Sequence, residues 1–325
     1  MKITVYGVGA VGGFIAARLA LAGHEVSAVA RGPTLSAIRA GGVRLDSSDG
    51  VEHARISATN DPARLGPQEL VVIAVKAPAL AAVARGIEPL LGRDTVVMTA
   101  MNGVPWWFFD RFGGRYAGTR LSSVDPDGAL AARIPSRHVI GCVVHLACRI
   151  AEPGVVRHVA GNRLIIGEPD GTASARLVDV AAALRGAALD VEISRRIQAD
   201  VWFKLWGNMT MNPVSALTGA TSDRILDDPL VNRFCLEVMA EAARIGAAIG
   251  CPISESGEDR MAVTRKLGAF KTSMLQDVEA ARPVELDALV AAVREIGVLV
   301  GEPTPWIDAL LGLARLHARV RGLYQ

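Results

Sequence analysis

The sequence predicts an α/β chain in two parts, a parallel-sheet domain followed by an all-helical one, and three observations carry that prediction. Short β-rich runs alternate with helical stretches through the first half, a glycine-spaced turn joins the first run to the first helix, and helical periodicity takes over from about Ile197. The chain has 325 residues, half of them apolar, with 33 Gly and 16 Pro, a length and texture that suit two ordinary domains better than one large one.

The first run is Ile3-Thr4-Val5-Tyr6, and Gly7-Val8-Gly9-Ala10-Val11-Gly12 leads from it into a helix-like stretch from Phe14 to Leu21. Glycines at this spacing let the backbone turn sharply and approach a pyrophosphate, while the helix N-terminus supplies N–H donors and a favourable dipole. A second run, Glu25 to Ala30, follows at the distance such a unit needs. The first domain therefore reads as a Rossmann-type dinucleotide-binding domain, the alternative being a glycine turn with no ligand.

Val71 to Val75 and Thr95 to Ala100 continue the sheet, with a helical stretch from about Pro78 to Leu91 between them. Ile140 to Ile150, Gly154 to Val159 and Arg163 to Ile166 read as three strands joined by glycine turns, some of them antiparallel. A helix from about Ala173 to Leu184 and a strand near Val191 complete the domain. The domains are placed at residues 1–195 and 196–325.

Between Asn102 and Ile140 lies a long connection. Its aromatic cluster Trp106-Trp107-Phe108-Phe109 precedes a Gly-, Ser-, Asp- and Pro-rich stretch from Gly113 to Pro135. Such connections usually serve function or move, and the aromatics either pack beneath the loop, the commoner case, or touch a substrate.

Thirty-five basic and 33 acidic residues leave a net charge of +2, too balanced for a nucleic-acid surface or an acidic-lipid patch, so the expected partner is a small molecule. Cys142, Cys148, Cys235 and Cys251 show no CxxC spacing and sit mainly in apolar runs, which predicts buried thiols, no disulfide and no metal site. Without a signal-like start or an apolar stretch approaching the roughly 20 residues of a membrane span, the expectation is a cytoplasmic protein. A homodimer is compatible with the helical second domain, although no seam is identifiable from the pattern.

Chemistry concentrates in the second domain. Lys204, Asn208 and Asn212 recur every fourth residue, and each step of four turns a helix by only about 40°, so they form one polar stripe among apolar neighbours. Buried amides and an ammonium need partners, either a ligand or a closed polar network. Lys204 is the candidate proton donor, because a positioned ammonium stabilises charge growing on a carbonyl oxygen and can protonate it. Pro213 predicts a kink or helix end near Asn212. Farther on, Pro283 is placed in the first turn of a helix, with Glu285 and Asp287 near its N-terminus and Asp287 read as a cap. Ser273, ahead of an apolar run, is a helix cap or a ligand contact.

At the end of the second run, Ala30-Arg31-Gly32 puts a cation where NAD-preferring folds carry an acid, so Arg31 predicts NADPH over NADH. Taken in order, GVGAVG, Lys76, Met101-Asn102-Gly103, the K-x3-N-x3-N stripe, and SMLQD followed by R-P-x-E-x-D resemble the ketopantoate reductase family over nearly the whole chain.

That resemblance implies NADPH and a 2-oxo acid meeting between the two domains, reduction of 2-dehydropantoate to (R)-pantoate, and a place on the route to coenzyme A. It implies Lys204 as general acid and Asn208, Asn212 and Ser273 as holders of the substrate's hydroxyl and carboxylate. Asn102 would touch cofactor and substrate, Glu285 would reach the nicotinamide ribose and help fix the lysine, Ala147 would meet NADPH through its backbone, and Lys76 would support Arg31. Where the family often has another substrate-binding asparagine, this chain has Ser222, a contact either kept or lost. Two alternatives stay open: a reductase of another branched or bulkier 2-oxo acid, and a non-catalytic NADP(H) sensor.

Overall fold

Four consecutive buried residues, Ile3 to Tyr6, make β1 (Lys2–Tyr6) a strand covered on both faces, as a central parallel position requires. After it come α1 (Ala10–Leu21), β2 (Glu25–Val29), α2 (Gly32–Gly41), β3 (Val43–Ser47), β4 (Gly50–Ala54), β5 (Ser57–Thr59) and β6 (Leu70–Ile73). The chain continues through α3 (Leu80–Gly86), β7 (Val96–Ala100), α4 (Ala129–Arg133), β8 (Val139–Glu152), β9 (Val155–Gly167), α5 (Ala175–Gly186) and β10 (Asp190–Ile193). Helices alone follow: α6 (Ile197–Thr218), α7 (Ser222–Asp227), α8 (Pro229–Ala248), α9 (Gly257–Arg265), α10 (Ser273–Glu279), α11 (Ala292–Val300) and α12 (Pro305–Val320). This computed structural model describes residues 1–325.

Residues 1–101, 107–120 and 128–200 form one unit, and residues 102–106, 121–127 and 201–325 form the other. The expected division near residue 195 differs from this in two ways. The first unit runs on to Asp200, inside α6, and two pieces of the long connection belong with the helices.

The first unit is built on a mixed sheet in the order β4-β3-β9-β8-β7-β6-β1-β2-β5, with β10 also paired to β9. β1 runs parallel to both β2 and β6, one on each side, so the chain leaves it in opposite directions. A ligand crevice at the C-terminal end of the central strand is the usual result of that reversal.

Several details depart from the expected pattern. The two runs at Gly154 to Val159 and Arg163 to Ile166 are one strand, β9, antiparallel to β8 across register shifts. Gly161 sits inside it at φ +70°, where a Cβ would lie 2.7 Å from the His145 carbonyl oxygen. The predicted helix from Pro78 to Leu91 shortens to α3 with a 3-10 turn on either side, each turn holding a proline in its first positions. β3, β4 and β5 are additional strands, short and partly exposed.

The aromatic cluster is core. Trp106, Trp107, Phe108 and Phe109 are each at most 3% exposed, and Trp107 Nε1 donates to Thr99 Oγ1 at 3.1 Å. Farther along the same connection, Ser122 and Ser123 clamp it to α11: their backbone N–H groups and hydroxyls donate four hydrogen bonds of 2.6 to 2.9 Å to the Glu295 carboxylate. Burial pushes the Glu295 pKa up, but these donors outweigh it and hold the group below its ordinary value.

All four cysteines are free thiols; Cys142, Cys235 and Cys251 are buried and Cys148 is half-buried. No helix is long and apolar enough to cross a membrane.

The clamp makes a pH-dependent prediction. A carboxyl whose folded pKa is depressed contributes stability above its unfolded pKa and loses it as pH falls through the folded value. Glu295→Gln should therefore lower unfolding free energy by about 1 kcal/mol at neutral pH. Melts at descending pH should show the gap to wild type closing as Glu295 protonates; a gap independent of pH would refute the account.

Candidate active site

In the first unit, the loop after β1 shows why its glycines are spaced as they are. Gly7 lies at φ +96°, and a Cβ there would come within 2.5 Å of Val75 Cγ1; one on Gly12 would come within 2.1 Å of the Gly7 carbonyl oxygen. Those two glycines close the turn. Gly9 differs, because a Cβ there would meet nothing within 4 Å. It is exposed and stands at the N-terminus of α1, which has no side-chain cap and no acidic residue in its first turn. Val8 is buried, while Ala10 and Val11 are half-buried. The open helix end can therefore receive an anion on its N–H donors, with no carboxylate competing for them.

Arg31 follows β2 and Lys76 follows β6, the two parallel neighbours of β1, so both cations stand on the strand-end edge that carries the glycine loop. Both are exposed. Arg31 also hydrogen-bonds Tyr6, the last residue of β1. Burial raises the Tyr6 pKa and Arg31 partly offsets the rise. The fit to a dinucleotide phosphate rests on the unfilled space at Gly9 and this cationic edge. Ala147 lies on β8 between two breaks in register with β9, where a bulge re-aims main-chain groups.

In the second unit, α6 is held by its tryptophans. Trp202 Nε1 donates to the Ala242 carbonyl at 3.2 Å and Trp206 Nε1 to the Met239 carbonyl at 2.8 Å, fixing one face against α8. At about 100° per residue, Lys204 lies on roughly the opposite face, and Asn208 and Asn212 follow it. Lys204 and Asn208 are half-buried and Asn212 is buried. Lys204 Nζ donates to Asn102 Oδ1 at 2.8 Å, joining two residues 102 positions apart. Pro213 does not end the helix: α6 continues to Thr218, with buried residues on both sides keeping it packed past the missing N–H.

The remaining expected contacts sort themselves by partner. Thr272 caps α10 by accepting from the Leu275 N–H at 3.2 Å, which leaves Ser273 exposed beside it and removes the capping reading for that serine. Glu285 is buried just ahead of a helical turn starting at Leu286, and Pro283 precedes the helix instead of opening it. Asp287 is no cap; it accepts from the Tyr324 hydroxyl and pairs with Arg315 at 3.6 Å.

Ser222 is corrected too. It is 1% exposed, donates to the Gly268 carbonyl at 2.8 Å and accepts from the Phe270 N–H at 3.3 Å, so its hydroxyl shapes the 268–270 turn and is not presented to a ligand. Thr272 was legible as a cap from the Thr-x-x-Leu start of an apolar run. No group of three or more His, Cys, Asp or Glu side chains is placed to hold a metal ion.

Comparison with known proteins places the chain in a family. The family model described as "Ketopantoate reductase PanE/ApbA" matches residues 3–171, and "Ketopantoate reductase PanE/ApbA C terminal" matches residues 196–318. A Mesorhizobium japonicum protein named 2-dehydropantoate 2-reductase is 45% identical over 100% of both chains, and one of the same name from Halobacterium salinarum is 30% identical over 98% of this chain and 99% of its own. Among solved structures, a PanE/ApbA family ketopantoate reductase from Ralstonia eutropha JMP134 superposes with a TM-score of 0.85 at 26% identity, covering 99% of this chain and 100% of that one. On two family matches in chain order and a full-length relative at this identity, the chain belongs to the ketopantoate reductase family.

Proposed function

We propose that the chain reduces 2-dehydropantoate to (R)-pantoate with NADPH, using Lys204 as the general acid. The observation that carries the reading is the Lys204 ammonium held 2.8 Å from Asn102 on a half-buried polar stripe. NADPH supplies the hydride that reduces the 2-oxo carbon. Lys204 places positive charge where the carbonyl oxygen becomes negative and gives it a proton. Asn208, Asn212 and Ser273 orient the substrate's hydroxyl and carboxylate, Asn102 serves both ligands, and Glu285 reaches the nicotinamide ribose and steadies the lysine.

On the cofactor side, the loop from Gly7 to Gly12 receives the pyrophosphate, Arg31 and Lys76 receive the 2′-phosphate, and Ala147 contributes its backbone. No acid ends β2 to bind a ribose 2′-hydroxyl, which supports NADPH over NADH.

A second reading, a reductase of another branched or bulkier 2-oxo acid, is favoured by one observation: Ser222 stands where the resemblance places an asparagine and is committed to the 268–270 turn. The long aromatic connection does not add to it, since those rings are core. A sensor without chemistry would have no use for Lys204, Asn208, Asn212, Ser273 and Glu285 together. The reading includes a cytoplasmic homodimer, with Leu313, Leu316 and Val320 of α12, at 60%, 62% and 80% exposure, available for a second copy to cover.

Two substitutions test these roles. Lys204→Ala should lower kcat roughly a hundredfold or more while leaving NADPH affinity nearly intact. An unchanged kcat with any 2-oxo acid the wild type turns over would reassign the proton donor. Arg31→Ala should raise KM for NADPH far more than for NADH, and equal effects on both would remove the 2′-phosphate assignment.

A further inference from the structure

The segment after Glu285 begins with a π turn, Asp287–Ala291, before continuing as α11. The Ala292 N–H donates to the Asp287 carbonyl, five residues back, where an α-helix would use Ala288. The Ala288 carbonyl instead accepts the Val104 N–H at 2.8 Å, a bond from a different part of the chain. Turns of this kind are rare and recur at functional sites.

Gly103, next to Val104, fits against the same peptide. It lies at φ +85°, and a Cβ there would stand 2.7 Å from both the Cβ and the carbonyl oxygen of Ala288 and 2.8 Å from its carbonyl carbon. No side chain can enter without moving the backbone, and the neighbour on the other side is Asn102, the partner of Lys204. The turn is braced from behind by the end of the chain: the Val284 N–H donates to the Leu323 carbonyl at 3.2 Å, and Tyr324 and Arg315 hold Asp287.

We propose that the π turn at Asp287–Ala291 is a positioning element for the reaction. The released Ala288 carbonyl and the side-chain-free Gly103 set the Asn102 carboxamide, which in turn sets the Lys204 ammonium. Gly103, Ala288 and Tyr324 act through other residues and touch no reacting atom. The inference deepens the reading of Lys204 as general acid and rests on it.

The test is a double-mutant cycle in the full chain. Gly103→Ala should lower kcat roughly tenfold or more, since displacements near 1 Å are enough for such losses, and should shift the pH profile of kcat. In an Asn102→Ala background the same change should cost much less, because no carboxamide is left to misplace; a merely structural role would add in full.

Tyr324→Phe, which removes the donor to Asp287 with little change of volume, should show a smaller loss with the same non-additivity, and it serves if the Gly103 variant does not fold. Folded variants with wild-type kcat and pH profile, or losses that add fully to that of Asn102→Ala, would overturn the proposal. If Lys204→Ala also keeps wild-type kcat, the general-acid reading has failed; if only the Gly103 and Tyr324 variants do, the positioning role alone is wrong.

Discussion

An ammonium kept in half-buried surroundings is the constraint on which the helical unit turns. A charge withdrawn from water is costly unless oriented dipoles replace the solvent. Asn102 supplies one such dipole at 2.8 Å, and the backbone after it is tied down by the Val104 N–H on the Ala288 carbonyl. The tryptophans of α6 set the azimuth from which the lysine projects, and the segment from Glu285 to Ala291 supports the loop that meets it. Packing of apolar rings against α8 thus becomes the precondition for the placement of one cation.

In the sheet unit the controlling constraint is spatial rather than electrostatic. Gly7 and Gly12 are required by contacts inside the fold, whereas the space beside Gly9 is unfilled. Placing the turn at the strand from which the chain departs in both directions puts a helix N-terminus and two cations on one edge. Architecture and charge agree there: a helix N-terminus and two cations share one edge, with no carboxylate in the first turn of α1 to oppose them.

What could be read from residues alone was whatever has a short-range signature. The glycine spacing, the strand before it, and the every-fourth-residue stripe at Lys204, Asn208 and Asn212 all announce their geometry locally. β3 and β4 carry a weaker mark: β3 alternates over only Val43-Arg44-Leu45-Asp46, and β4 has neither an apolar run nor alternation, as a short hairpin partly open to solvent allows. The roles of Ser222, left open between a kept and a lost contact, and of Asp287, expected as a cap, were not legible for a different reason: their partners, the 268–270 turn and Tyr324, are 37 or more residues away, and no local pattern reports them. Gly103 was visible as part of a motif, yet its reason for being glycine is the peptide of Ala288, 185 positions later. Pro213 failed as a breaker because tertiary packing outweighed local propensity.

The thiols carry a practical consequence. Burial pushes Cys148 and Cys235 up to about 12, with a hydrogen bond from the Val159 backbone only partly countering this at Cys148. Nucleophilic attack by cysteine proceeds through the thiolate, so both sulfurs are nearly inert at neutral pH. A cysteine engineered on the surface would therefore outcompete either of these two for maleimide or iodoacetamide, allowing dyes to be attached without first stripping them from the protein.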